Sequence, residues 1–173
     1  MEALWQELDT FIPEVAVIWR TILRLIAAIV LGGLVGFERE FRGQAAGLRT
    51  HMLVALGSCL FALVVCDVTS DPTDIAQLVK GVAAGIGFIG GGAILKLAAD
   101  REIKGLTTAA GIWLTAAIGV AVGVGKPFMA AVATLLSLVV LGIMLRIEKH
   151  IQIDPEVGSD AINQKEKVNP EAG

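Results

Sequence analysis

Five apolar runs alternate with short polar segments along the chain. They extend from about Val17 to Phe37, Thr50 to Asp67, Ile75 to Ala98, Leu106 to Gly123 and Pro127 to Leu145. A helix needs about 20 apolar residues to cross the hydrocarbon core of a bilayer, so the pattern predicts an all-α, polytopic bundle of five transmembrane helices. Ahead of the runs, apolar Leu4, Trp5, Leu8, Phe11 and Ile12 are interspersed with Glu2, Glu7 and Asp9 up to Pro13. That pattern suits a short amphipathic helix at the membrane interface. Behind the runs, the stretch from Arg146 is polar and holds Pro155 and Pro170. It is expected to be disordered or to extend the fifth helix. The expected organisation is an interfacial segment over 1–14, a five-span domain over 15–146 and a polar cytoplasmic tail over 147–173.

Composition agrees with the pattern. The chain is 55% hydrophobic and only 18% charged, where soluble domains carry about 25% charge. The acidic N-terminus lacks the basic start of a secretory signal peptide. Cys59 and Cys66 lie in one apolar run, and on a helix their spacing of about 10 Å is too long for a disulfide. They read as small packing residues.

Where the charges fall sets the orientation. Arg39, Arg42 and Arg49 occupy the first connection, Lys96, Arg101 and Lys104 the third, and Arg146, Lys149, Lys165 and Lys167 the tail. The second connection holds Asp67, Asp71 and Asp74 and no base, and the fourth only Lys126. The positive-inside rule then places the N-terminus outside and the tail in the cytoplasm, which five spans satisfy.

The densest polar block runs from Gly36 to Gly57, and part of it recurs. A shift of 58 residues pairs Gly32-Gly33 with Gly90-Gly91, Gly47-Leu48 with Gly105-Leu106, and Thr50 with Thr108. If this is a duplication, spans one–two and three–four are parallel copies, and both Gly-Leu-x-Thr segments open helices at the cytoplasmic face. Thr50 and Thr108 would then sit near N-caps, where a hydroxyl satisfies free backbone N–H groups.

Candidate chemistry gathers at the same end. Glu38 and Arg42 are four apart and can pair on a helix. Glu38, Arg39, Glu40, Arg49, Thr50 and Thr108 form a candidate cytoplasmic cluster whose structural role would be a salt-bridge rim and whose functional role would be an ion site. The Glu38 and Glu40 carboxylates suit Mg²⁺, whereas Arg49 and two helix starts suit an anion. Inside the first span Arg24 is a buried-depth charge, costly unless it faces protein, and Asp67 is its candidate partner. Gly85, Gly87, Gly90, Gly91 and Gly92 give the third span a small-residue face for close helix packing. The alternative is a helix broken near Gly90–Gly92 to line an ion path. The formal GxGxxG match there lies outside any βαβ unit, so no dinucleotide site is expected. No span carries a carboxylate at its centre, His51 and His150 belong to no cluster of metal-ligand spacing, and no nucleophile–base pair is visible. An enzyme is not expected. No cofactor is expected either, beyond Mg²⁺ at the two glutamates. The expected surroundings are a lipid bilayer, with a second copy of the chain or another membrane complex as partner, and no nucleic acid.

The segments Arg24-Leu25, Gly36-Phe37-Glu38-Arg39-Glu40 and Ala46-Gly47-Leu48-Arg49-Thr50-His51-Met52-Leu53-Val54 together resemble the signature of the MgtC/SapB membrane proteins. Gly87-Phe88-Ile89-Gly90-Gly91-Gly92, Gly105-Leu106-Thr107-Thr108-Ala109-Ala110, Trp113 and Ala116-Ala117-Ile118-Gly119 continue the match, which covers about residues 20–145. The resemblance implies a five-span protein of the bacterial inner membrane, tied to growth in low magnesium and, in pathogens, to survival inside macrophages. For some members it implies a regulatory role, including inhibition of the F-type ATP synthase, and the family's older label of magnesium transporter keeps ion transport as the alternative. Longer members carry a small cytoplasmic α/β domain after the fifth span, so this sequence, running to Gly173, is expected to be a short form without it.

Overall fold

The computed structural model describes residues 15–97 and 105–151. The expectations for the interfacial segment, for the basic residues Arg101 and Lys104, and for the tail beyond Ile151 lie outside the described residues. Five α-helices follow one another: α1 (Val15–Phe41), α2 (Leu48–Val68), α3 (Pro72–Leu97), α4 (Leu106–Gly123) and α5 (Pro127–Ile151). There is no strand among the described residues. The first four are long and apolar enough to cross a membrane, and α5 carries a further apolar stretch over Pro127–Ile143. The chain is a multi-pass membrane protein. Two compact units are distinguished, residues 1–136 and residues 137–173; of the second, the rest of α5 is described.

Within the first unit α4 is the central helix, in contact with α1, α2 and α3. Its sequence explains the position. Leu106 to Gly123 contains no charged residue, and a helix apolar all round belongs inside. Ile112, Ala116, Ile118 and Val122 are buried there, beside Ala28 and Val35 of α1 and Ala55, Cys59 and Ala62 of α2. Most of these residues are small, as expected where dispersion between close backbones, rather than water exclusion, drives association in lipid.

Glycines set how closely the helices approach. A Cβ at Gly32 would lie 2.6 Å from the Ala55 Cβ and 2.8 Å from the His51 carbonyl oxygen. At Gly119 it would collide with the Ala55 carbonyl oxygen, and at Gly123 it would lie 2.6 Å from that of Cys59. The pairs Gly32/Gly36 on α1 and Gly119/Gly123 on α4 thus both seat on α2. The glycine-rich α3 behaves differently. It is one unbroken helix through Gly90–Gly92, so the broken-helix alternative is overturned. Only Gly90, near Ala109, has a neighbour within 4 Å of its would-be Cβ; Gly85, Gly87, Gly91 and Gly92 face open space among the described residues.

The turns follow local rules. α1 ends in a Schellman motif, with Gly43 N–H donating to Glu40 O, Gln44 N–H to Arg39 O, and Gly43 at φ +67°. α4 ends in the same way, with Gly125 N–H on Val122 O, Lys126 N–H on Ala121 O, and Gly125 at φ +83°. α3 starts with Asp71 as its cap: its carboxylate accepts the Thr73 N–H at 2.8 Å, and Pro72 takes the first helical position.

Candidate functional site

The Gly36–Gly57 block is not a loop between spans. α1 continues as helix through Phe41, so Glu38, Arg39 and Glu40 project from its last turn, and only residues 42–47 connect to α2. The Glu38–Arg42 ion pair spans this end, from the last turn of α1 to the first residue beyond it.

Glu38 bridges two bases. One carboxylate oxygen accepts from Arg39 Nε at 2.5 Å, and the other faces Arg42 Nε in an ion pair. Arg39 is buried, and the Glu38 side chain is 15% exposed. Glu40 points the other way. Its Oε2 accepts the backbone N–H of Leu48 at 2.7 Å, so a carboxylate from the end of α1 caps the start of α2, where the helix dipole favours negative charge. A Cβ at Gly47 would lie 2.7 Å from that same oxygen, which accounts for the glycine. The two glutamates therefore take different partners. Arg49, one position along from Leu48, is exposed and makes no ion pair or hydrogen bond with any described residue.

The threonines do not cap. The residues preceding α2 and α4 are Gly47 and Gly105, and neither helix start is capped by the side chain of its own N-cap residue. Thr50 and Thr108 each fall on the third helical residue, too far inside the first turn to act as N-cap. Thr108 is buried and donates instead to Gln44 Oε1 at 3.3 Å, tying the α1–α2 connection to α4.

Sequence reasoning missed His51. It is fully buried at the meeting of α1, α2 and α4, with its Cβ against Gly36 and its Nε2 facing Gly111. Nδ1 lies 2.9 Å from the Gly47 carbonyl oxygen. A carbonyl can only accept, so Nδ1 carries a proton; in the neutral ring Nε2 is then a bare acceptor, and it has no hydrogen-bond partner among the described residues. The signal available in the sequence was the i,i+4 spacing to Gly47, with Gly36 and Gly111 to make room.

At the opposite end Arg24 does not form the expected ion pair with Asp67. Its Nη1 donates to the Gly123 carbonyl oxygen at 3.1 Å, supplying the C-terminal end of α4 with a donor. The fold brings Arg24 and Asp67 to the walls of one cleft, together with Arg20.

Among the described residues no three His, Cys, Asp or Glu side chains converge as a metal site. The chain matches the MgtC family over residues 25–150. It is 45% identical over 130 residues to the "Putative magnesium transporter YhiD" of Escherichia coli (strain K12), a match covering 69% of this chain and 58% of the relative. It is 40% identical over 125 residues to the "Protein MgtC" of Salmonella typhimurium (strain LT2), covering 72% and 52%. With the "Protein SrpB" of Synechococcus elongatus the identity is 37% over 137 residues, covering 73% and 75%. The chain thus spans little more than half the length of the E. coli and Salmonella relatives. No solved structure matches it. With the charged rim, the glycine-seated helices and this match in agreement, the chain belongs to the MgtC family of membrane proteins.

Proposed function

We propose that the protein is a non-enzymatic regulator in the bacterial inner membrane that supports adaptation to low magnesium by contacting another membrane complex. The observation that carries this reading is the unfilled glycine face of α3. Among the described residues nothing lies within 4 Å of where a Cβ would stand at Gly81, Gly85, Gly87, Gly91 and Gly92, and the neighbouring Phe88 is 86% exposed. In lipid such a face lets a second helix approach backbone to backbone. A partner complex and a second copy of this chain can both use it. The basic end supports the same reading. Glu38 is held by Arg39 and Arg42, and Glu40 by the start of α2, so neither carboxylate is free to hold Mg²⁺ without breaking the rim.

The name of the E. coli relative favours magnesium transport as the second reading. Two measurements separate them. A photo-crosslinker at Phe88 in native membranes is expected to capture a protein partner, and Gly85→Leu is expected to abolish capture. Recovery of no partner would overturn the regulator. In proteoliposomes, Mg²⁺ flux through wild-type protein that is lost in Glu38→Gln would establish the transporter in its place.

A further inference from the structure

At the acidic end, opposite the charged rim, α1 and α2 enclose a cleft of about 540 Å³. Its charged walls are Arg20, Arg24 and Asp67, Thr21 adds a hydroxyl, and its apolar walls include Val17, Leu60 and Val64. Arg20 makes no hydrogen bond or ion pair with any described residue, and the same is true of Asp67. Arg24 uses one nitrogen on the Gly123 carbonyl and keeps its other donors. Two guanidinium groups and a carboxylate thus share one cleft without pairing within it. Arg20 and Arg24 are one helical turn apart, about 6 Å along α1, five and nine residues from the start of the described helix. Asp67 is the next-to-last residue of α2. Arg20 and Asp67 therefore stand near the depth of lipid headgroups, where charged side chains reach out of the hydrocarbon, and the guanidinium of Arg24, one turn deeper, reaches the last residue of α4.

The geometry points to a binding site for one aminophospholipid, with its phosphate between Arg20 and Arg24 and its primary ammonium on Asp67. Arginine donors match phosphate oxygens in a fork. The ammonium satisfies the one charge that a simple anion would leave facing a like charge. Val17, Leu60 and Val64 then receive the first methylenes of an acyl chain. A phosphatidylglycerol headgroup lacks the cation, and the quaternary ammonium of phosphatidylcholine has no N–H to donate.

The test is native mass spectrometry of the full chain, delipidated in detergent and titrated with phosphatidylethanolamine, phosphatidylglycerol or phosphatidylcholine. Wild-type protein is expected to take up one phosphatidylethanolamine saturably, about tenfold more tightly than phosphatidylcholine, the worth of one charge-assisted hydrogen bond. Arg20→Gln is expected to weaken all three lipids by about tenfold or more. Asp67→Asn is expected to retain binding and erase the preference for phosphatidylethanolamine over phosphatidylcholine. Equal affinity for the three lipids in wild type, or unchanged binding in Arg20→Gln, would overturn the site. Displacement of the lipid by millimolar inorganic phosphate would overturn the assignment to a lipid. Arg20 is exposed and outside the core, so its variant stays folded for the comparison.

Discussion

The helix pairs α1–α2 and α3–α4 pack in the same register but not equally closely. Gly32 of α1 lies against His51 of α2, and Gly90 of α3 against Ala109 of α4; both residues of the second contact are 58 positions beyond those of the first. Yet a Cβ at Gly32 would come within 2.6 Å of Ala55, while one at Gly90 would stand 3.4 Å from Ala109. The starts of the second helices differ as well. Gly47 is extended at φ −103°, and the next amide, Leu48 N–H, is taken by Glu40; Gly105 is left-handed at φ +91°, and no side chain of its own caps α4. The offset preserved the helix contact and the Gly-Leu start. It did not preserve the polar fittings around them. The first pair is clamped at its rim, while the second puts its uncharged helix in the centre and leaves every glycine of α3 but Gly90 without a close neighbour among the described residues.

The largest expected effect tests that difference in closeness. Gly32→Ala forces the α1–α2 backbones apart and is expected to destabilise the protein by about 1–3 kcal/mol, as overpacking does. Gly90→Ala reaches only ordinary van der Waals distance from its neighbour and is expected to cost a few tenths of a kcal/mol or to stabilise slightly, since alanine is the better helix former. Thermal unfolding of the two variants in the same detergent measures both. Equal losses would show that the two pairs are packed alike after all.

The second prediction concerns the clamp. Glu40→Ala removes the charged acceptor from Leu48 N–H and is expected to cost about 1 kcal/mol, the usual worth of a helix cap. Gly47→Ala alone pushes on the Glu40 carboxylate; in the Glu40→Ala background that obstruction is gone, so the two losses are expected to add to less than their sum. A double-mutant cycle by thermal unfolding reads the coupling directly, and strict additivity would remove Glu40 from its capping role.

Much of this architecture was legible in the sequence. Apolar run length gave the five helices, because a bilayer imposes a minimum span. The Glu38–Arg42 pairing followed from i,i+4 spacing. What escaped was which surface each small-residue helix presents to the rest of the chain. Composition marks α3 as a close-packing helix, but whether its neighbour belongs to this chain is a property of the assembled bundle. The partner of Arg24 escaped for the same reason. A carbonyl at the end of a helix nearly a hundred residues away has no side-chain signature, so the carboxylate Asp67 was the visible choice. His51 was hidden because its role depends on a backbone acceptor and on two glycines from different helices.

The smallest effect belongs to a third helix start, that of α3, which lies at the acidic end and is capped by a side chain of its own. Asp71 accepts hydrogen bonds from the backbone N–H and the side chain of Thr73, and these hold its carboxyl below the usual carboxylate range. A depressed folded-state pKa means that the cap's contribution is fully present above the unfolded value, about 3.9, and is lost as pH falls through the folded one. Because Asp71 is exposed, the loss is local to the first turn. Amide exchange at Thr73 to Ile75 is expected to speed up relative to the rest of α3 as the solution is acidified through that range, after correction for intrinsic rates. Asp71→Asn keeps an acceptor oxygen and has no proton to gain, so it is expected to retain most of the protection and to lose its acid dependence. Asp71→Ala is expected to fray the turn at neutral pH. If acidification left the first turn of wild type as protected as before, the start of α3 would be held, like that of α4, by backbone geometry alone.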